Sequence, residues 1–143
     1  MRILIYIILI NFSILNAQTF SIARVNYGGG GDWYCDQSSI PNLLQYLESN
    51  TPISVKNEKI HVSMSDENAH QYPYLYLTGH GNIKFTDNEI ISLRSILMNS
   101  GFLHADDNYG MDASFRRELK RVFPNKELVP LPNDHPIFHS YYS

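Results

Sequence analysis

Tyr74-Leu75-Tyr76-Leu77-Thr78-Gly79-His80-Gly81, then Thr86-Asp87-Asn88-Glu89-Ile90, then Gly101-Phe102-Leu103-His104-Ala105-Asp106-Asp107: this stretch decides the fold. Tyr74–Leu77 is a short apolar run bounded by Pro73 and Gly79, the pattern of a buried strand. Thr86 and Glu89 have the spacing of a capping box, and Ile90, Leu93 and Leu97 follow at helical period. Gly101 can stop that helix by adopting positive φ, and Phe102–Ala105 reads as a second buried strand. A strand, a helix and a strand in this order predict a βαβ unit with parallel strands.

The same alternation continues in both directions. Upstream, Phe20–Val25 is strand-like, and Ile40–Ser49 is helical, with Ser39 as N-cap, Pro41 in the first turn and Leu43, Leu44 and Leu47 on one face. Ile60, Val62 and Met64 alternate with polar residues as in a strand. Downstream, Asp112 is placed to cap a helix bearing Phe115, Leu119, Val122 and Phe123, with Pro124 after it; Leu128–Leu131 is a last strand candidate. The expectation is an α/β domain with a mainly parallel sheet and helices on both faces.

Residues 1–17, MRILIYIILINFSILNA, read differently. Arg2 is followed by a 13-residue apolar run, Ile3–Leu15, and a small residue at Ala17. That run is shorter than the about 20 residues a membrane span needs, and the pattern is that of a secretory signal peptide. Residues 18–143 then form the single mature domain, periplasmic or secreted, with no stable membrane span after signal removal. Of 143 residues, 43% are hydrophobic and 17% charged, so a packed core is expected. The net charge of −3 gives no footprint for nucleic acid. A single cysteine, Cys35, excludes both a disulfide framework and a CxxC-type zinc site, and it reads as a small neutral filler of its loop.

In an open parallel sheet, ligands bind beyond the carboxyl ends of the strands. The loops expected there hold Gly28–Asp36, Thr78–Asn82, Asp106–Gly110 and Pro132–Pro136. Gly28–Gly31 can either cradle an anion through converging N–H groups or simply turn the chain. His80 lies between two glycines on a tight turn. Asp106 and Asp107 are adjacent, so on a strand one would face a site while the other caps the following segment. His80, one of these aspartates and His135 make a His₂-carboxylate set suited to a divalent metal, although no sequence motif assigns one. His104, inside a strand, is expected in packing. Arg116, Arg117, Lys120 and Arg121 read as a solvated basic helix face.

The strings ARVNYGGGGDWY (Ala23–Tyr34), YPYLYLTGHG (Tyr72–Gly81), GFLHADDNYGMD (Gly101–Asp112), FRRELKRVFP (Phe115–Pro124) and LPNDHPIFHSYY (Leu131–Tyr142) resemble the bacterial family called domain of unknown function 4159. That family is similar to class I glutamine amidotransferases, which implies a flavodoxin-like three-layer α/β sandwich. The resemblance also implies further chain after His135–Tyr142, hence an expectation that the domain is C-terminally truncated. It supplies no reaction. Amidotransferases carry a nucleophilic cysteine on a strand-to-helix turn, whereas the turn here is Gly79-His80-Gly81.

Three functions follow as alternatives. One is a binding or accessory module for a small molecule or carbohydrate, with Gly29, Gly30, Asp32, Trp33, Tyr34, Gly79, Gly81, Asn108 and Tyr109 lining the cleft and no cofactor required. The second is a hydrolase, metal-assisted through a divalent ion, using His80, Asp106 or Asp107, and His135. The third is a scaffold that acts through a partner surface.

Overall fold

The structure is a computed structural model that describes residues 19–141; the signal peptide expected over residues 1–17 lies outside the described residues. The elements are β1 (Ala23–Asn26), α1 (Ser39–Asn50), β2 (Ile60–Ser63), β3 (Tyr74–His80), α2 (Asp87–Met98), β4 (Phe102–Tyr109) and α3 (Asp112–Val122). The four strands pair in the order β2-β1-β3-β4, all parallel. The first strand of the chain is thus central. The chain leaves β1 for β2 on one side and returns to β3 on the other, the strand order of flavodoxin-like domains.

Period-two alternation divides the side chains between the layers. Ile22 and Tyr76 point to one face, where Ile40 and Leu44 of α1 cover them. Ala23, Val25, Val62, Leu75 and Leu77 point to the other, against Ile90, Leu93 and Ile96 of α2 and Val122 of α3. Each of these buried aliphatic side chains contributes roughly 1.5–3 kcal/mol by leaving water. The result is the three-layer α/β sandwich expected.

Local chemistry sets the boundaries. The capping box forms as read: Glu89 N–H donates to Thr86 Oγ1, and the Glu89 carboxylate accepts from Thr86 N–H at 2.8 Å. On α3 the cap is not Asp112. Asp107 accepts the N–H groups of Met111 and Asp112 at 2.9 and 3.0 Å, while Asp112 pairs with Arg116. Two strands run further than their apolar cores, β3 to His80 and β4 to Tyr109, so Asp106–Tyr109 is strand rather than loop. β4 is also an edge strand among the described residues, and its side chains are half-buried or exposed rather than buried. Leu128–Leu131 forms no strand; it is irregular and exposed, because Pro130 and Pro132 withhold the donors that a ladder needs.

Candidate functional site

At the switch point between β1 and β3, past their pairing at Ala23–Leu75 and Arg24–Tyr76, the loops that follow the two strands pack against each other. The glycine run after β1 forms one side of this contact. Gly29 and Gly30 have φ of +103° and +90°, which other residues adopt at a cost. Lys84 N–H donates to Gly28 O at 2.8 Å, Gly31 N–H to Asn82 O at 3.0 Å, and Asn82 Nδ2 to Gly29 O at 2.9 Å. A Cβ on Gly29 would sit 2.8 Å from Lys84 N, and one on Gly31 2.8 Å from Asn82 O. These glycines therefore let two loops touch. In the structure the run packs against the loop after β3.

Arg24 fixes the next segment. Its side chain is 3% exposed, yet its acceptors are all neutral: the carbonyls of Trp33 (3.1 Å), Cys35 and Asp36 (2.9 Å), and Ser39 Oγ (3.0 Å). Its guanidinium also lies 5.6 Å over the Tyr76 ring. The planar fork suits several carbonyls at once, which a lysine could not match. Above this clamp Asp32–Cys35 forms a tight turn, closed by Cys35 N–H donating to Asp32 O at 2.9 Å.

The turn aims Asp32 at His80. Asp32 Oδ1 accepts His80 N–H at 2.5 Å, and His80 Nδ1 lies 3.0 Å from Asp32 Oδ2. Gly79 makes the room: a Cβ there would fall 2.3 Å from Tyr27 Oη and 3.1 Å from Asp32 Oδ1. The His80 backbone N–H, more than its imidazole, holds the Asp32 carboxyl below the usual range. Tyr27 is buried and donates to Thr78 O at 3.0 Å; burial first, then the Asp32 charge, push its phenol up to about 12. Cys35 Sγ joins Asp32 and His80 in a group whose ligating atoms lie within 4.8 Å of one another. Burial raises the Cys35 thiol, and contacts with Asp36 add to it. Asn108 Nδ2 closes the group by donating to Cys35 Sγ at 3.4 Å and to Asp36 Oδ2.

Three of the four loops expected at one edge therefore do meet: Gly81 N–H donates to Tyr109 O at 3.2 Å, and Asn108 reaches Cys35 and Asp36. The proposed catalytic set does not assemble. His80 engages Asp32 rather than Asp106 or Asp107. Asp106 accepts from Tyr76 Oη at 2.9 Å, and Asp107 caps α3 on the opposite face. His135 sits in the C-terminal stretch and accepts Ile137 N–H at 3.2 Å within its own turn. Trp33 packs edge-on against His61 and the core, while Tyr34 and Tyr109 remain exposed beside these loops. His104 packs between Tyr74 and Tyr76, as expected of a strand histidine.

Sequence reasoning missed Arg24 and took Cys35 for a filler of its loop. The signal available was a lone arginine inside a strand, which must find acceptors when buried. The basic face of α3 is not simply solvated either: Arg117 and Arg121 donate to Ile83 O and Phe85 O, and both pair with buried Glu118. These contacts hold the loop after β3 in place.

A groove of about 930 Å³ runs beside β4 and α3, floored by Leu97, Leu103, Phe115, Leu119 and Phe123. Arg116, Arg117, Lys120, Lys126 and Glu127 also line it, so its charge is mainly basic, whereas the loops after β1 and β3 gather a carboxylate, an imidazole and a thiol.

The fold defines an α/β protein with a parallel sheet of flavodoxin-like order, and a polar cluster lies at its switch point. The chain belongs to the family described as domain of unknown function 4159, whose profile matches residues 21–143. No curated protein matches the chain.

Proposed function

We propose that the chain is an exported binding or accessory domain whose ligand cleft is the crevice between the loops after β1 and β3. The ligand class is a small molecule or carbohydrate. One observation carries the reading: an Asp32–His80 pair is held at a switch point by a buried arginine clamp, with His80 half exposed to solvent. Switch points are where open α/β sheets bind. The exposed rings of Tyr34 and Tyr109 offer stacking surfaces, and Asp36 and Asn108 offer hydroxyl partners. Export rests on the Arg2, Ile3–Leu15 and Ala17 pattern. Intact-mass analysis of protein from outside the cytoplasm is expected to give a start at or within a residue or two of Gln18; recovery of Met1 in membranes would overturn it.

The cleft is tested by titrating ¹⁵N-labelled protein with a panel of neutral mono- and disaccharides and small metabolites. Saturable shifts are expected at Gly28–Asp36, His80–Asn82 and Asn108–Gly110, weakened in Tyr34→Ala and Tyr109→Ala. Shifts confined to the groove along α3, or none across the panel, would overturn it.

A second reading, hydrolysis, is favoured by the same pair. Asp32 bonds Nδ1 of His80, which leaves Nε2 free to act as a general base. In that reading Asp32, rather than Asp107 and His135, partners His80, and His80→Ala abolishes turnover.

A further inference from the structure

We propose that Asp32, Cys35 and His80 form a three-ligand site for a divalent transition metal of the zinc class; the inference rests on the reading of the crevice as the ligand site. The turn spacing does the first part of the work. Asp32 and Cys35 are three residues apart in a turn closed by a 2.9 Å hydrogen bond, which brings a carboxylate and a thiol to one side. Paired zinc ligands three apart in sequence use the same geometry. His80 arrives from the end of β3 as the distant third ligand.

The distances fit with little movement. Around a tetrahedral ion bound at about 2.0–2.3 Å, ligand atoms stand roughly 3–4 Å apart. His80 Nδ1 and Asp32 Oδ2 are already 3.0 Å apart, and all three ligating atoms lie within 4.8 Å of one another. A side-chain rotation of Cys35 closes the remainder. The donor set selects the ion: thiolate with imidazole and carboxylate suits zinc, while calcium and magnesium demand oxygen ligands. Three protein ligands leave a fourth position for water or the organic ligand, and His80 faces solvent on that side.

Surrounding groups complete the shell. Asn108 donates to the sulfur, and Arg24 locks the carbonyls of Trp33, Cys35 and Asp36 so that the turn cannot drift. Binding balances simply. The thiol proton, which faces the Asp36 carboxylate at 3.5 Å, leaves to solvent as the sulfur–metal bond forms. The Nδ1 proton that the Asp32 carboxylate accepts leaves to solvent as that nitrogen ligates, and Nε2 takes one up from solvent, so the ring ends neutral and the net release is the thiol proton.

The test titrates the metal-stripped full chain with Zn²⁺ and with Co²⁺. One equivalent per chain is expected after desalting, and bound Co²⁺ should give visible d–d bands with a near-ultraviolet sulfur-to-cobalt charge-transfer band. Cys35→Ser should remove the charge-transfer band, and Asp32→Asn and His80→Ala should weaken Zn²⁺ binding by about tenfold or more. Circular dichroism of each metal-free variant separates loss of a ligand from loss of fold; an unfolded variant is replaced by Cys35→Ala or His80→Gln. Sub-stoichiometric metal, or binding indifferent to all three positions, overturns the site. If saccharide or metabolite shifts still map to the crevice in metal-free protein, the metal proposal alone has failed. If Zn²⁺ binds as expected while no panel member does, the organic-ligand reading alone has failed.

Discussion

Replacing Arg24 by methionine asks whether the crevice is built by its clamp. Methionine keeps the apolar stem against Tyr76 and deletes the guanidinium, which donates to three carbonyls and to Ser39 Oγ. Hydrogen bonds from a charged donor contribute about 1.5–3 kcal/mol each, but they are not additive here. Two effects reduce the loss. The variant no longer carries a buried cation whose acceptors are all neutral, and such charges are costly to desolvate. The freed carbonyls of Trp33, Cys35 and Asp36 sit on a half-exposed loop and can turn to water. A net destabilisation of about 2 kcal/mol is expected, against a total of about 5–15 for a domain. Urea unfolding followed by Trp33 fluorescence reads it directly. The local effect should be larger than the global one: amide exchange at Cys35 and Ser39, whose N–H groups bond to Asp32 O and Asp36 O, should rise to that of an open loop. Arg24→Lys should recover less than half the stability, since an ammonium cannot span three carbonyls. A loss below about 0.5 kcal/mol with exchange unchanged at both amides would refute the clamp.

Gly79→Ala forces a methyl to 2.3 Å from Tyr27 Oη at a φ of +145°, and should cost about 3 kcal/mol by thermal unfolding; pairing it with Tyr27→Phe should recover part of the loss. Tyr27 titrates near 12 when folded against about 10 when unfolded, so its contribution, about 2–3 kcal/mol, is intact below pH 10 and lost as pH rises through 12. Tyr27→Phe should flatten that alkaline slope, and an unchanged slope would refute the assignment. Asp32 has a lowered folded value, so the stability it supplies is present above the ordinary aspartate range and lost as pH falls through its folded value. Because the His80 backbone N–H is the leading cause, carboxyl ¹³C titration of His80→Ala should show Asp32 rising only part of the way to an ordinary aspartate.

The fold was legible because local signals agreed with the global plan: the capping box and two apolar runs fix the βαβ unit without reference to distant residues. Gly101 does not stop α2 by positive φ as expected; Ser100 takes that conformation at +70°, and Gly101 serves close approach to Ile96. The sequence misled where tertiary partners decide. Leu128–Leu131 has strand-like composition, but Pro130 within it and Pro132 after it oppose pairing. Asp106 and Asp107 read as the loop after the strand but lie on it; the expected division held in part, Asp107 capping α3 while Asp106 bonds Tyr76. His80 was legible as a polar residue on a tight turn after Tyr74–Leu77. Its partner was not, since Asp32 lies 48 residues away and only the close approach permitted at Gly79 brings the two together.

The central position of β1 carries a consequence for synthesis. Ala23–Asn26 leaves the ribosome before either of its flanking strands exists, and β3 begins at Tyr74, roughly fifty residues later. At about 5–20 residues per second that interval lasts about 3–10 s. Until β2 emerges at Ile60, Val25 and Ala23 have no strand to join, and Arg24 waits for the turn at Trp33–Asp36 to emerge before its charge is satisfied. The strand made first is therefore the one whose surroundings are completed only when β3 follows. A nascent chain stalled before Tyr74 would present β1 with an open edge, a state that pulse proteolysis of ribosome-bound intermediates can detect.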